Sequence, residues 1–406
     1  MATKKATASA AAPSDHKQQT EHIDTVLEKL VSSGFTAGIS AYVERGGEPL
    51  YRGMTGLADI ASGRRITDDT IFRIFSMSKV FTVTAALILY ERGLYRMYDP
   101  ISRFIPAYKN PKVFENGPDG KPYARPATRE ILVRDLFTMT SGIPYGGADS
   151  ETERRIGRAM AREERTIAAG GTPSDTLRVA EKLAAIPLEF DPGDHWKYGM
   201  SLDVLGALVT VWSGKTLGTF VQDEIAGPLG MTDTGFYVPE DKLSRLASMY
   251  PAGPDGKILH DAVGHGAPTT PPSYESGGGG MYSTVSDYAA LARMLLTGKA
   301  PDGRQILSRK TIELMRADHL TDKQKKTYNW DTQHGYSYGL GVRTLVDIAA
   351  AGANGSVGEF GWDGFAGTWM CVDPAEDLCA VFMTQRAPGG HVESVPLFKA
   401  AFYALL

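Results

Sequence analysis

The sequence predicts an α+β fold in which one sheet is assembled from the two ends of the chain, with a mainly helical segment inserted between them. Three observations lead there. Strand-like patterns occur near the N-terminus and return only after the glycine run at Glu275–Gly280. Helical patterns dominate from Ser76 to about Ala247. Strands and helices do not alternate as a doubly wound parallel sheet requires. The expected division is a disordered tail at 1–20, a sheet domain made of 21–100 plus 275–406, and an inserted helical domain at 101–274. A cleft beside such an insertion is a common place for an active site.

In chain order, "MATKKATASAAAPSDHKQQT" holds lysines and small residues without an apolar stretch, and reads as a tail and not as a secretory leader. "HIDTVLEKLVSSG" then places Ile23, Val26, Leu27, Leu30 and Val31 at helical spacing and stops at Gly34. "TAGISAYVERGGEPLYRGMTGLAD" alternates and turns at Gly46-Gly47, a hairpin signal. The helical middle is broken by the Pro-, Gly- and Asn-rich "YKNPKVFENGPDGKPYARP", and the insertions at Tyr108–Arg129 and Gly146–Thr176 are expected to shape the entrance to the cleft. Strands resume in "YSYGLGVRTLV", "FAGTWMCV" and "LCAVFMTQ", and "SVPLFKAAFYALL" closes the chain as an apolar helix. No repeat of 20–50 residues is visible.

Composition excludes several classes. At 406 residues, 42% hydrophobic and 22% charged, the chain has enough apolar material for one large or two interleaved domains. The longest apolar runs, Thr84–Tyr90 and Val204–Trp212, are too short to span a membrane. A net charge of −4 offers no basic face to nucleic acid or acidic lipid. The expected setting is cytoplasmic, with no nucleic-acid or membrane partner and an oligomeric state left open. Cys371 and Cys379 fall on the two arms of an expected hairpin, near each other, and read as two buried thiols.

The chemistry-bearing stretch is "FSMSKVFTVTAALILYERG", with Ser76 and Lys79 on one face of a helix start. The spacing alone means little, because Ser14 and Lys17 repeat it in the tail. Ser76, however, stands where the strand-like "IFRIF" feeds a helix, beside unpaired N–H groups and the positive end of the helix dipole. Val80, Val83, Ala86 and Leu87 surround Lys79 with apolar surface, which weakens its hold on a proton. The bland reading is a capping serine and a solvated lysine. In "GDHWKYGMSLDVLGALVTVWSGK", Tyr198 precedes an apolar helix and, if near a lysine, can exchange a proton with it, though most of the 18 tyrosines have structural roles. In "GEFGWDGFAGTWMCVDP", Gly361, Gly364 and Gly367 begin a strand bare on one side, either a close-approach edge presenting an N–H to an oxyanion or a packing bulge.

Taken in this order, these stretches resemble the serine β-lactamase and penicillin-binding superfamily, most closely its class C-like carboxylesterases, the family VIII esterases. "SMSK", "LFTMTSGIPY" at Leu136–Tyr145, "FVQDEIAGPLGMTDTGF", "SGGGGMYSTVSDYAALARMLL" and "YSYGLGV" carry the likeness over nearly the whole chain from about His22. The resemblance implies a β-lactamase-like fold with a central antiparallel sheet flanked by helices. It also implies a Ser76 nucleophile, Lys79 and Tyr198 as its acid/base partners, and an oxyanion hole made by the backbone N–H groups of Ser76 and Phe365. Trp362, Asp363 and Gly364 fall where relatives carry Lys-Thr-Gly, His-Thr-Gly or Trp-Gly-Gly, and with Met200 they are the expected substrate contacts. No cofactor or metal is implied. Lysine and tyrosine both titrate near ~10 when unperturbed, so the pair shares a proton and the sequence does not say which is the base.

The departures from the family pattern set the expected substrate. Met200 replaces the asparagine of Tyr-x-Asn, and Trp362 replaces the Lys or His that holds a substrate carboxylate in penicillin-recognising relatives. Asp363 adds a negative charge, expected to repel a carboxylate and favour an amine-bearing substrate. Together they point to a small-molecule ester. The alternatives are a β-lactamase, a D,D-peptidase or D-aminopeptidase, an acyltransferase on the same scaffold, and a binding protein that has lost catalysis. No Gly-x-Ser-x-Gly elbow occurs, and "WSGKT" lacks the first P-loop glycine because Val209 occupies it. The eight histidines show no paired metal spacing, and His195 is read as structural.

Overall fold

The computed structural model describes residues 13–406 except His265, with side chains described from Thr20 onward. Its centre is an eight-stranded sheet: β1 (Gly38–Arg45), β2 (Glu48–Asp59), β3 (Arg64–Arg65), β4 (Tyr336–Tyr338), β5 (Arg343–Leu345), β6 (Phe360–Asp363), β7 (Trp369–Asp373) and β8 (Leu378–Met383). The order is β3-β2-β1-β8-β7-β6-β5-β4, with every pairing antiparallel. The N-terminal hairpin thus docks on the last strand, joining the two ends in one sheet. Gly46 and Gly47, both at positive φ (61° and 84°), make the tight turn between β1 and β2.

Helices cover both faces. On one, α1 (Pro13–Ser32) and α5 (His391–Tyr403) pack with Ile39, Ala41, Val43, Trp369, Cys371, Ala380 and Phe382. On the other, α4 (Val285–Thr297) covers β8 and β7, and Val372, Cys379, Val381 and Met383 join the main core. All residues of β7 and β8 are buried, which is why these strands read as continuous apolar runs and not as alternation. The main core continues into α2 (Ser78–Glu91) and α3 (Ser201–Ser213), which pack on each other. Residues 78–89 of α2 are all buried, so this stretch has no solvent-facing side, and its polar Ser78, Lys79 and Thr82 bond to residues 277–281.

One expectation is revised, and two stretches gain detail. Residues 13–20 are helical and not part of a disordered tail: Pro13 is the first residue of α1, where its missing N–H costs nothing, and the helix runs on into the stripe that packs on α5. The rest of the expected tail, 1–12, lies outside the described residues. The stretch from Tyr108 to Pro126 contains an antiparallel hairpin, Lys112–Asn116 with Pro122–Pro126. Only Val113 on it is buried, so no apolar alternation announces it. Cys371 and Cys379 are free, buried thiols, but they face opposite sides of the sheet. Among the described residues no single helix is long and apolar enough to cross a membrane.

Candidate active site

The chain reaches the site through a short strand, Phe72–Arg73, and enters a 3-10 turn at Phe75–Met77 that leads directly into α2. Phe75 has φ +43°, a conformation that costs a bulky residue ~1–3 kcal/mol. Ser76 follows it, half-buried. Neither the turn nor α2 has a side-chain cap, so Ser76 is not spent on capping. Its Oγ instead accepts a hydrogen bond from Lys79 Nζ at 3.0 Å.

Lys79 is fully buried, and its other two donors go to the Tyr145 hydroxyl (2.9 Å) and the Gly278 carbonyl. Burial pushes its pKa down to about 7, against the opposing pull of the Asp203 and Asp363 carboxylates. Nζ also lies 4.5 Å from the Tyr198 ring centroid. Burial raises the pKa of the Tyr198 and Tyr145 phenols, so both stay protonated where Lys79 has begun to lose its proton. Ser76 lies alongside the Tyr198 hydroxyl, which accepts from Trp362 Nε1 at 3.2 Å.

Asp203, on the first turn of α3, organises the other side. Its Oδ1 accepts from Tyr274 (2.7 Å), Ser276 (2.6 Å) and the Gly278 N–H (3.2 Å), fixing the glycine run whose carbonyl holds Lys79. The strand carrying Trp362 ends at Asp363, and Gly364, the next residue, packs against the Ser76 turn. A Cβ on Gly364 would lie 2.4 Å from the Ile74 carbonyl oxygen, so only glycine permits this approach. The next residue, Phe365, sets its ring edge-on to Phe75 at 5.6 Å. Among the described residues, the turn hydrogen bonds at this junction run from the Met77 N–H to the Ile74 carbonyl and from the Gly364 N–H to the Thr368 carbonyl, and neither uses the N–H of Ser76 or Phe365.

Ser76, Lys79, Tyr198 and Trp362 are therefore in one cluster, with Gly364 and Phe365 at its edge. Met200 is packed into the main core, its N–H donating to the Ile143 carbonyl at 3.1 Å. Asp363 is not a free charge: Arg343, itself buried, meets it at 3.3 Å because β5 pairs with β6. His195 stands outside the cluster, its ring edge-on to Phe190. Sequence reasoning assigned no role to Tyr145 or Asp203. Tyr145 ends the quoted "LFTMTSGIPY" stretch, but only the bridge between Pro144 and Gly199 sets it against Tyr198, with ring centroids 5.5 Å apart. A cavity of about 600 Å³ adjoins Tyr198, lined by Trp196, Lys197, Lys326 and Trp330 among others.

A serine touching a buried lysine whose pKa is lowered, with a protonated tyrosine beside it, can perform acyl transfer through the hydroxyl. The family model described as Beta-lactamase matches residues 23–402, and the chain belongs to that family. Protein Rv1367c of Mycobacterium tuberculosis is 35% identical over 373 residues, covering 91% of this chain and 90% of its own. Esterase EstB of Burkholderia gladioli is 31% identical over 387 residues, covering 91% of each chain. A solved structure described as "EstCE1, a hydrolase with promiscuous acyltransferase activity" superposes with a TM-score of 0.77 at 24% identity, covering 96% of this chain and 99% of that one; it shares the fold. This is a β-lactamase-fold serine hydrolase family with esterase and acyltransferase relatives.

Proposed function

We propose that the chain is a serine esterase that cleaves carboxylic esters through an acyl-enzyme on Ser76. The observation that supports this most is the fully buried Lys79, with a pKa near neutrality, 3.0 Å from the Ser76 hydroxyl. Neutral Lys79 takes the Ser76 proton as Oγ bonds to the ester carbonyl carbon. The carbonyl oxygen becomes an oxyanion received by the N–H groups of Ser76 and Phe365, a donor of this kind contributing ~3 kcal/mol. Collapse breaks the bond to the alcohol, and the proton passes from Lys79 by way of Tyr198 to the departing oxygen. Water then gives a proton to the same pair, attacks the acyl carbon and releases the acid as Ser76 recovers its proton.

The wall around the site supports an ester without a carboxylate. Trp362 occupies the place of the cationic anchor and is committed to Tyr198. Tyr198, Trp196 and Trp330 give the adjoining cavity an aromatic side, and of the two lysines on its lining Lys197 is engaged by Glu153 and Glu189 while Lys326 is exposed. With Asp363 paired to Arg343, neutral esters are favoured over the amine-bearing ones a free carboxylate would select. The test is p-nitrophenol release from p-nitrophenyl butyrate by the wild type and Ser76→Ala, beside turnover of a chromogenic cephalosporin. Ester activity lost with Ser76, with little on the cephalosporin, is expected. Equal activity in both proteins, or preferred turnover of the cephalosporin, would overturn the reading. Butyryl transfer to an added alcohol at the expense of butyrate would instead place the chain with the acyltransferases.

A further inference from the structure

A second cavity, of about 710 Å³, lies apart from the catalytic cluster: Ser76, Lys79, Tyr145 and Tyr198 do not line it. This volume suits a small organic ligand. Its walls are mostly apolar, with Ile71, Leu177, Val221, Phe236, Val238 and Met281 among them. Into it faces Glu275, whose side chain belongs to a residue only 6% exposed.

Glu275 is held in place but not neutralised. Its carboxylate accepts from the Gly218 N–H (2.7 Å) and the Thr216 hydroxyl (3.1 Å), and among the described residues it has no cationic partner. A carboxylate in apolar surroundings without a counter-charge is costly, and burial accordingly raises its pKa. The other charges on the wall do not supply that counter-charge. Lys242 is engaged by Asp233 at 2.9 Å, Asp223 by Lys215 at 2.8 Å, and Asp175 caps the helix Thr176–Ala184. What remains unbalanced is negative.

We propose that this cavity is a ligand site separate from the catalytic cleft, taking an amphiphile whose ammonium head pairs with Glu275 and whose alkyl body lies on the apolar wall. Anionic ligands are excluded by the same charge balance. The site sits behind the glycine run: Glu275 is followed by Ser276 and Gly278, the groups that join Asp203 to Lys79.

Titration calorimetry of the full chain with n-octylamine at neutral pH tests the assignment, with octan-1-ol and octanoate as controls. One molecule of octylamine per chain is expected to bind, equally well to Ser76→Ala. Octanol should bind about tenfold more weakly and octanoate not measurably, because each lacks the ion pair. Glu275→Gln should weaken octylamine by about tenfold or more. Leu177→Trp, which fills the cavity from the exposed side and leaves Glu275 in place, should do the same and keeps the test valid if the Gln variant does not fold. Absence of binding, equal binding of octanol, or octylamine affinity unchanged in Leu177→Trp would overturn the proposal.

Discussion

Lys79 is useful to Ser76 only when it is uncharged. With its pKa lowered to about 7 by burial, the rate of ester hydrolysis should rise with pH through a midpoint near 7 and level off above it. Asp203 and Asp363 both favour the charged lysine. Removing the Asp203 charge in Asp203→Asn should therefore move the rising limb of the kcat/KM profile to lower pH, at a lower plateau because the Gly278 anchor is weakened. A midpoint that stays put, or moves up, would contradict this assignment. Lys79→Met should lower kcat by ~10³ or more. Tyr198→Phe should cost more than Tyr145→Phe, since the Tyr198 hydroxyl lies by Ser76 whereas the Tyr145 hydroxyl accepts from Lys79. That Ser76, Lys79 and Tyr198 come together was legible because a familiar motif carries each. Tyr145 and Asp203 were not, because their roles arise from contacts with residues 66 and 75 positions away.

Among the elements, the junction between β6 and the Ser76 turn matters most. Gly364→Ala would push a methyl group to 2.2 Å from Thr368 Oγ1 and 2.4 Å from the Ile74 carbonyl. The Phe365 N–H would then be displaced, and kcat should fall by about 10² with KM little changed, measured on the same ester. Unchanged kcat would mean that this N–H does not receive the oxyanion. The β1–β2 hairpin was readable because alternation and a Gly-Gly turn agree. The Lys112–Pro126 hairpin was not, because an exposed ribbon rich in proline and charge lacks the period-two apolar signal. The "WSGKT" segment is a helix stop and start: Gly214 ends α3 at positive φ, and Thr216 caps the helix that follows.

At the scale of the whole molecule, the sheet is held between two helical layers, and the layer of α1 and α5 lies on the face away from Ser76. Phe398 on α5 packs against Trp369, Phe382 and Phe402. Phe398→Ala should cost ~3–5 kcal/mol in chemical denaturation while leaving KM for the ester unchanged. Lys399→Met should be at least as damaging, since it strands the buried Glu359 carboxylate now paired at 2.6 Å. The sequence pattern showed that both termini feed one sheet, but not the strand order. Cys371 and Cys379 illustrate why: adjacency across β7 and β8 was readable, whereas the face each thiol takes depends on a register set by the pairing of Cys371 with Ala380. The partner of Asp363 was unreadable for a similar reason, since Arg343 comes from a neighbouring strand. The most direct test of the central claim is to label the wild-type chain with a fluorophosphonate probe and map the adduct by mass spectrometry. One adduct per chain, on the peptide containing Ser76, is predicted; an adduct on another serine, or none, would contradict the account.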